Sequence, residues 1–338
     1  MQIMANPYRK FWESFILLLL VFAPVMAQSE EVKLARAQSK ITTVSAMRMR
    51  KAPQASAEEV TRLKLGTVVD AIAHSANQDT IGGKTDYWYR VNLQNGQSGW
   101  LFGGLLRDYA AAQRQQLLRE IIDARLKAEN TEFADRQEIY NLAASASTEA
   151  KDANTRAEFE LLKLLALANW AITVPVDLIE KSPYREWYKT HGAKVILNEF
   201  AGGHNLNSDV LWELETKYHT LPIADRIAWE AAQNEEPHDC EGDEVCGFFV
   251  GAGEITYLER HPNGARAGEA LRSRAEALTD EVINSANSTG GDQYEVEQRT
   301  QLLKLLGSLR AALAKTSAPE KNEVLAKLQR IKSITPPR

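Results

Sequence analysis

Tyr87-Trp88-Tyr89-Arg90-Val91-Asn92-Leu93, then Asn95-Gly96, then Gln97-Ser98-Gly99-Trp100-Leu101-Phe102, is the stretch on which the fold turns. Its apolar residues alternate with polar ones, the period of a half-buried strand. Tyr89, Val91 and Leu93 fall on one face, and Trp88, Arg90 and Asn92 on the other. Asn95-Gly96 between two such runs predicts a type I′ hairpin turn, because both central residues of that turn need positive φ. Upstream, Leu65-Gly66 opens a further strand over Thr67 to Ala73, and the polar residues His74 to Asp86, with Gly82-Gly83, read as a loop. Short strands and tight turns over about 65 residues predict a small closed or nearly closed β-barrel spanning residues 41–108.

The same stretch resembles the bacterial SH3-like (SH3b) domains. Ala46-Met47-Arg48-Met49-Arg50-Lys51-Ala52-Pro53 is similar to their opening strand, which usually reads Leu-Asn-Val-Arg-Ser-Gly-Pro. Leu65-Gly66-Thr67-Val68-Val69, Trp88-Tyr89-Arg90-Val91, Gly99-Trp100-Leu101 and Leu105-Leu106 resemble the later landmarks, in order. Met49 replaces the usual Val and Ala52 the usual Gly, and the segment before Tyr87 is longer. The resemblance implies an SH3-like barrel that docks onto a cell-wall peptide or a protein. The candidate binding residues are Trp88, Arg90 and Trp100. An exposed Trp88 beside Arg90 makes a stacking platform for a sugar or peptide, with core packing as the alternative. Trp100 is expected in the core.

Ahead of the barrel, Met1 to Ala27 reads as a signal peptide. Arg9 and Lys10 supply the positive n-region, Phe15 to Phe22 the apolar run, and Val25-Met26-Ala27 the small residues at a cleavage site. The run is well short of the ~20 residues that span a membrane; an uncleaved anchor is the alternative. Residues 28–40 have no clear period and read as a linker. Cleavage removes two positive charges and one negative charge, so a net −5 becomes −6. A mildly acidic chain without a basic block is expected to bind neither nucleic acid nor an anionic membrane surface. The expected location is periplasmic or secreted, with no transmembrane span in the mature chain.

Beyond Asp108 the period changes to that of helices, over Tyr109 to Glu129, Thr131 to Ala146 and Thr155 to Thr173. The third is so apolar that it should be buried on most sides. Ser182-Pro183, Leu221-Pro222 and His261-Pro262 each precede a helical pattern, about 40 residues apart, with Pro expected at the first helical position. The last two, with small Ala residues after them, resemble the joint of tetratricopeptide-like periplasmic proteins. Lys194 to Asn207 reads as irregular, Ser208 as the N-cap of a helix to His219, and Ser285 to Asp292 as a break before a closing helical pair, Gln293 to Ala314 and Pro319 to Ile331. The expected fold is therefore multidomain: a small all-β SH3-like barrel, then an all-α helical-hairpin, tetratricopeptide-like region over residues 109–338.

Cys240 and Cys246 are the two cysteines of the chain. In an exported protein they are expected to form a disulfide that staples the start of a helix. A zinc site with His238 and Asp239 is the competing reading, although the paired-ligand spacing is missing. Asp239, Glu241, Asp243 and Glu244 could hold calcium, but the spacing is not an EF-hand loop and favourable charge at a helix start is the simpler expectation. His191, His204, His219 and His261 show no metal spacing and read as surface or capping residues. There is no GxSxG, P-loop or dinucleotide fingerprint, and no cofactor or metal is expected. The expectation is a non-enzymatic exported binding or scaffold protein whose partner is a cell-wall peptidoglycan peptide or a periplasmic protein. Two alternatives are a cell-wall hydrolase or accessory enzyme targeted by its barrel, and a structural partner in a periplasmic assembly.

Overall fold

The computed structural model describes residues 31–93, 95–129, 132–198, 202–234 and 239–332. The signal segment and His238 lie outside the described residues. Seven antiparallel strands build the N-terminal domain: β1 (Glu31–Thr42), β2 (Met47–Arg50), β3 (Glu59–Leu63), β4 (Val68–Ile81), β5 (Lys84–Asn92), β6 (Ser98–Phe102) and β7 (Leu106–Asp108). Their order in the sheet is β3-β2-β6-β5-β4-β1-β7. The concave core is closed by Met47, Met49, Val69, Ala71, Val91 and Leu101, with Tyr89, Leu93 and Leu105 packed against it.

Three expectations for this domain are corrected. Residues 31–40 are not linker but most of β1, pairing with β4 from Glu31↔Ser75 to Lys40↔Val69 and with β7 at Lys40↔Asp108. Most of this strand is exposed on both faces, so it carries no apolar period, and a bulge between Lys33 and Gln38 breaks its phase. His74 to Asp86 is not a loop. β4 and β5 continue through it as a two-stranded arm, paired at Thr80↔Thr85 and Ile81↔Lys84. Gly82 and Gly83 have φ of +58° and +76°, so the two-residue turn is the glycine pair at the tip of this arm. At Asn95-Gly96 the turn differs from the expected one, since Gly96 takes φ +83° and Asn95 keeps an ordinary negative φ. Leu93 donates its N–H to Gln97 O at 2.8 Å and Gly96 donates to Leu93 O at 3.0 Å, the pattern of a three-residue connection with glycine in the left-handed position.

The helical region follows: α1 (Arg114–Leu126), α2 (Phe133–Glu149), α3 (Ala153–Ala171) and α4 (Tyr184–His191), the hairpin β8 (Val195–Asn198) and β9 (Gly203–Leu206), then α5 (Ser208–Tyr218), α6 (Ile223–Ala232), α7 (Glu244–Val250), α8 (Ala252–Arg260), α9 (Ala267–Ala277), α10 (Asp280–Asn287), α11 (Gln293–Leu313) and α12 (Lys321–Leu328). The multidomain layout is thus β-barrel first, helices after. The β8–β9 hairpin replaces an expected irregular segment; four-residue strands are too short to show a period. Asn207, one residue before Ser208, caps α5 by accepting Asp209 N–H at 2.9 Å. Pro183 and Pro222 sit at the N-cap positions of α4 and α6 rather than at the first helical position. After Pro262 the chain turns before α9 begins, because the Asp225 carboxylate holds Ala265 N–H at 3.0 Å and Tyr257 Oη at 2.6 Å.

α3 is the axis of the helical region. Asp152 starts it by accepting Thr155 N–H at 2.8 Å. Phe159, Leu162 and Ala166 face α1 and α2, while Leu161, Leu164, Leu167 and Trp170 face α5 and the β8–β9 hairpin. Two apolar stripes on one helix explain why it is buried on most sides. Barrel and helices share a core: Ile41 and Leu65 pack with Leu117, Leu118, Ile121 and Ile122 of α1. Leu65 N–H donates to Glu138 Oε2 of α2 at 2.7 Å, and Arg107 pairs with Glu120 of α1 at 2.7 Å. Among the described residues no helix is long and apolar enough to cross a membrane.

Candidate ligand groove on the barrel

The tryptophan side of β5 does not face solvent. Trp88 pairs with Phe102 across the sheet, and the two rings meet at 5.6 Å and 59°. Trp88, Trp100 and Phe102 form a second apolar cluster outside the main barrel core, with Ile81 and Leu105 against it. Trp88 is 3% exposed. Its Nε1–H donates to Asp79 Oδ2 at 3.2 Å, and its backbone N–H donates to Ser75 Oγ at 3.0 Å. Ser75 and Asp79 belong to the arm that the sequence reads as a loop, which is why the cover over Trp88 was not foreseen. An exposed Trp88 platform is therefore corrected to a buried anchor.

That anchor forms the floor of a groove of about 270 Å³. Its apolar walls come from Val44, Met47, Ile81, Phe102 and Leu105. Ser45, Arg48 and Arg50 supply the polar side. Ala46 takes φ +48°, a left-handed conformation that costs a non-glycine residue of order 1–2 kcal/mol. This turn presents Ser45, whose Oγ is buried without a hydrogen-bond partner. A buried hydroxyl left unpaired is unfavourable until a donor or acceptor meets it. Arg50 is anchored by donating Nη1–H to Ala57 O at 2.6 Å. Arg48 is held more loosely, with Nε 3.5 Å from Glu59 and its side chain 57% exposed. Glu59 bonds Arg62 at 2.8 Å, and that hydrogen bond, aided by the charges of Arg62, Arg48 and Arg50, holds its carboxyl below the usual range. The groove thus combines an aromatic floor with the exposed Arg48 guanidinium at its rim.

Of the expected binding residues, only Trp88 reaches the groove. Arg90 turns to the other edge and pairs with Glu31 at 2.5 Å. Trp100 is 7% exposed and packs in the second cluster with Trp88 and Phe102, opposite Arg50 and Arg90 in the strand register. Ser45, Arg48 and Phe102 were missed as groove residues. The alternation of Arg48 and Arg50 with buried Met47 and Met49 on β2 was the available signal.

Cys240 and Cys246 are joined by a disulfide, with Cα atoms 5.5 Å apart. Asp243 caps α7 by accepting Val245 and Cys246 N–H at 2.8 and 3.0 Å, and Asp239 accepts Glu241 N–H at 3.1 Å. Among the described residues no three His, Cys, Asp or Glu side chains gather as a metal site. His191 and His204 are buried rather than at the surface, at 7% and 4% exposure. His191 sits within 6 Å of the Tyr140, Trp170 and Trp187 rings, at 5.0, 5.4 and 5.7 Å. His219 Nδ1 bonds Thr216 O at 3.0 Å, and His261 Nε2 bonds Glu215 Oε1 at 3.0 Å.

Residues 45–107 match the bacterial SH3 domain family, about a fifth of the chain. No curated protein and no solved structure matches.

Proposed function

We propose that this chain is an exported, non-enzymatic binding or scaffold protein whose barrel docks an extended cell-wall peptide or a segment of a protein partner. The observation that carries the reading is the groove over Trp88, with the exposed Arg48 at its rim, on the part of the chain that matches a bacterial SH3 domain. The helical region, with the repeated helix joints that resemble tetratricopeptide-like proteins, serves as spacer or second contact surface. Export rests on the signal pattern of Met1 to Ala27 and is consistent with the disulfide. The intact mass of the exported protein should correspond to a chain starting near Gln28.

The test is a sedimentation assay of the full mature protein with purified peptidoglycan and with the native envelope fraction. Arg48→Glu should weaken binding at least tenfold while leaving the circular dichroism spectrum unchanged, since Arg48 is exposed and its one ion pair is long. Unchanged binding moves recognition to the helices and overturns docking by the barrel. Loss of turbidity when the protein is added to cell walls overturns the non-enzymatic reading.

A further inference from the structure

α3, the turn at residues 192–194 and α5 line an open pocket of about 210 Å³, remote in sequence from the barrel groove. Three lysines line it: Lys163 on α3, Lys194 before β8 and Lys217 on α5. Lys217 pairs with Glu160 at 2.7 Å, which neutralises one cation with one carboxylate. Among the described residues Lys163 and Lys194 have no ion-pair partner. Glu213, the second carboxylate of the wall, pairs with neither. Three cations against two carboxylates leave the pocket one positive charge in excess. The rest of the wall is aliphatic, from Leu164, Val210 and Leu214.

Placing an ammonium partly out of water and beside like charges is unfavourable unless an anion joins it. Burial pushes the Lys163 ammonium below the ordinary lysine range, and the charges of Lys194 and Lys217 add to this against the pull of Glu160. A carboxylate is the anion that suits both parts of the wall, because it can accept from two ammoniums while carrying an apolar stem. The volume corresponds to roughly seven waters of the liquid, room for a short stem only. We propose that this pocket binds a small organic carboxylate, its oxygens between Lys163 and Lys194 and its short alkyl stem along Leu164, Val210 and Leu214.

Hexanoate is a suitable probe for the full-length protein. Lysine acylation by a water-soluble active ester, read residue by residue by mass spectrometry, reports the site directly. Saturating hexanoate should slow labelling of Lys163 and Lys194 at least fivefold and leave the exposed Lys304 unchanged. Hexyltrimethylammonium, with the same stem and a positive charge that the ester cannot acylate, should protect neither. Lys163→Met should abolish the protection of Lys194, and Lys194→Gln that of Lys163, so either variant serves if the other misfolds. Unchanged labelling with hexanoate overturns the site. Equal protection by inorganic phosphate shows that the aliphatic wall is not used and overturns the organic carboxylate as its ligand.

Discussion

Deleting the Trp88 indole would leave Phe102 facing a void and strip Asp79 Oδ2 of the indole donor 3.2 Å away. Large aromatic truncations in a packed cluster cost about 3–5 kcal/mol. Trp88→Ala should therefore lower the stability of the protein by about that amount, and Trp100→Ala should do the same, both read from urea unfolding by circular dichroism. A loss below about 1 kcal/mol for Trp88→Ala would mean that the arm does not seal the cluster. This expectation departs from one based on residue parity alone. Parity correctly places Trp88 on the face opposite Val91. It carries no information on whether that face is covered, and the covering residues, Ser75 to Ile81, are mostly polar and lie in a segment without apolar alternation. Trp100 is legible as buried without such cover, because the large apolar residues Leu101 and Phe102 follow it on β6. Residue identity therefore reveals the barrel's main layer, but the groove emerges only when the arm folds back over the second layer.

At the scale of elements, the start of α7 is a staple and a cap in one place. Asp243 satisfies the first amide groups, and the disulfide closes a loop with a sequence separation of six. A loop that short contributes about 2 kcal/mol through the unfolded chain's entropy. Cys240→Ser with Cys246→Ser should lower stability by about that much, and thiol labelling of the denatured, unreduced wild-type protein should find no free thiol. Next to α4 a different device operates. His191 is wedged among three aromatic rings, and burial, with the charge of Lys194 adding, lowers its pKa from 6.5. The unfolded imidazole binds its proton first as pH falls, so His191 favours the folded state fully above about pH 6.5 and loses that contribution as pH falls through the lower folded value. One proton limits the slope to about 1.4 kcal/mol per pH unit. Lys194 is the charged group facing it, and the Tyr140 hydroxyl, raised by burial, stays neutral across this range. His191→Phe should flatten the acid limb of stability below pH 6.5, measured by urea midpoints from pH 7.5 to 5. An unchanged limb would assign acid sensitivity to other groups. Helices with a clear period were legible, α3 most closely and α1 from Arg114 rather than Tyr109, whereas α7, α8 and α10 show none that bounds them. The caps were less so, since the choice between Asn207 and Ser208 depends on a side-chain rotamer that no sequence pattern fixes.

At the scale of the whole molecule, the core built on α1, α2 and α3 crosses the domain boundary. Ile41 and Leu65 belong to the barrel by strand pairing but are covered by α1 and by helix α2's Ile139 and Ala143. At Gly66, φ is +77° and an added Cβ would lie 2.6 Å from Leu142 of α2, so barrel and helix are in close contact there. Sequence reading places the change from strands to helices after Asp108 but misses the union of barrel and helices, because Ile41 and Leu65 look like ordinary barrel residues. The first cut it suggests, residues 41–108, should therefore fail to fold. It removes most of β1, which lies between β4 and β7 in the sheet, so β7 keeps only the pairs at Ile41 and Thr42. It also removes Lys40, whose ammonium bonds Asp108 at 2.7 Å and sits 4.3 Å over the Tyr89 ring. Restoring β1 in a fragment of residues 31–108 repairs the sheet but leaves Ile41 and Leu65 bare, so it should be marginal. Extending to residue 173 covers both, but exposes the second stripe of α3 at Leu161, Leu164, Leu167 and Trp170. That fragment should fold its barrel and self-associate through α3, whereas residues 31–338 should be cooperative and free of that association. Circular dichroism with urea, alongside gel filtration, distinguishes the four. Cooperative unfolding of residues 41–108 alone would show that neither β1 nor the helical cover is needed, and would return the barrel to the status of an independent module.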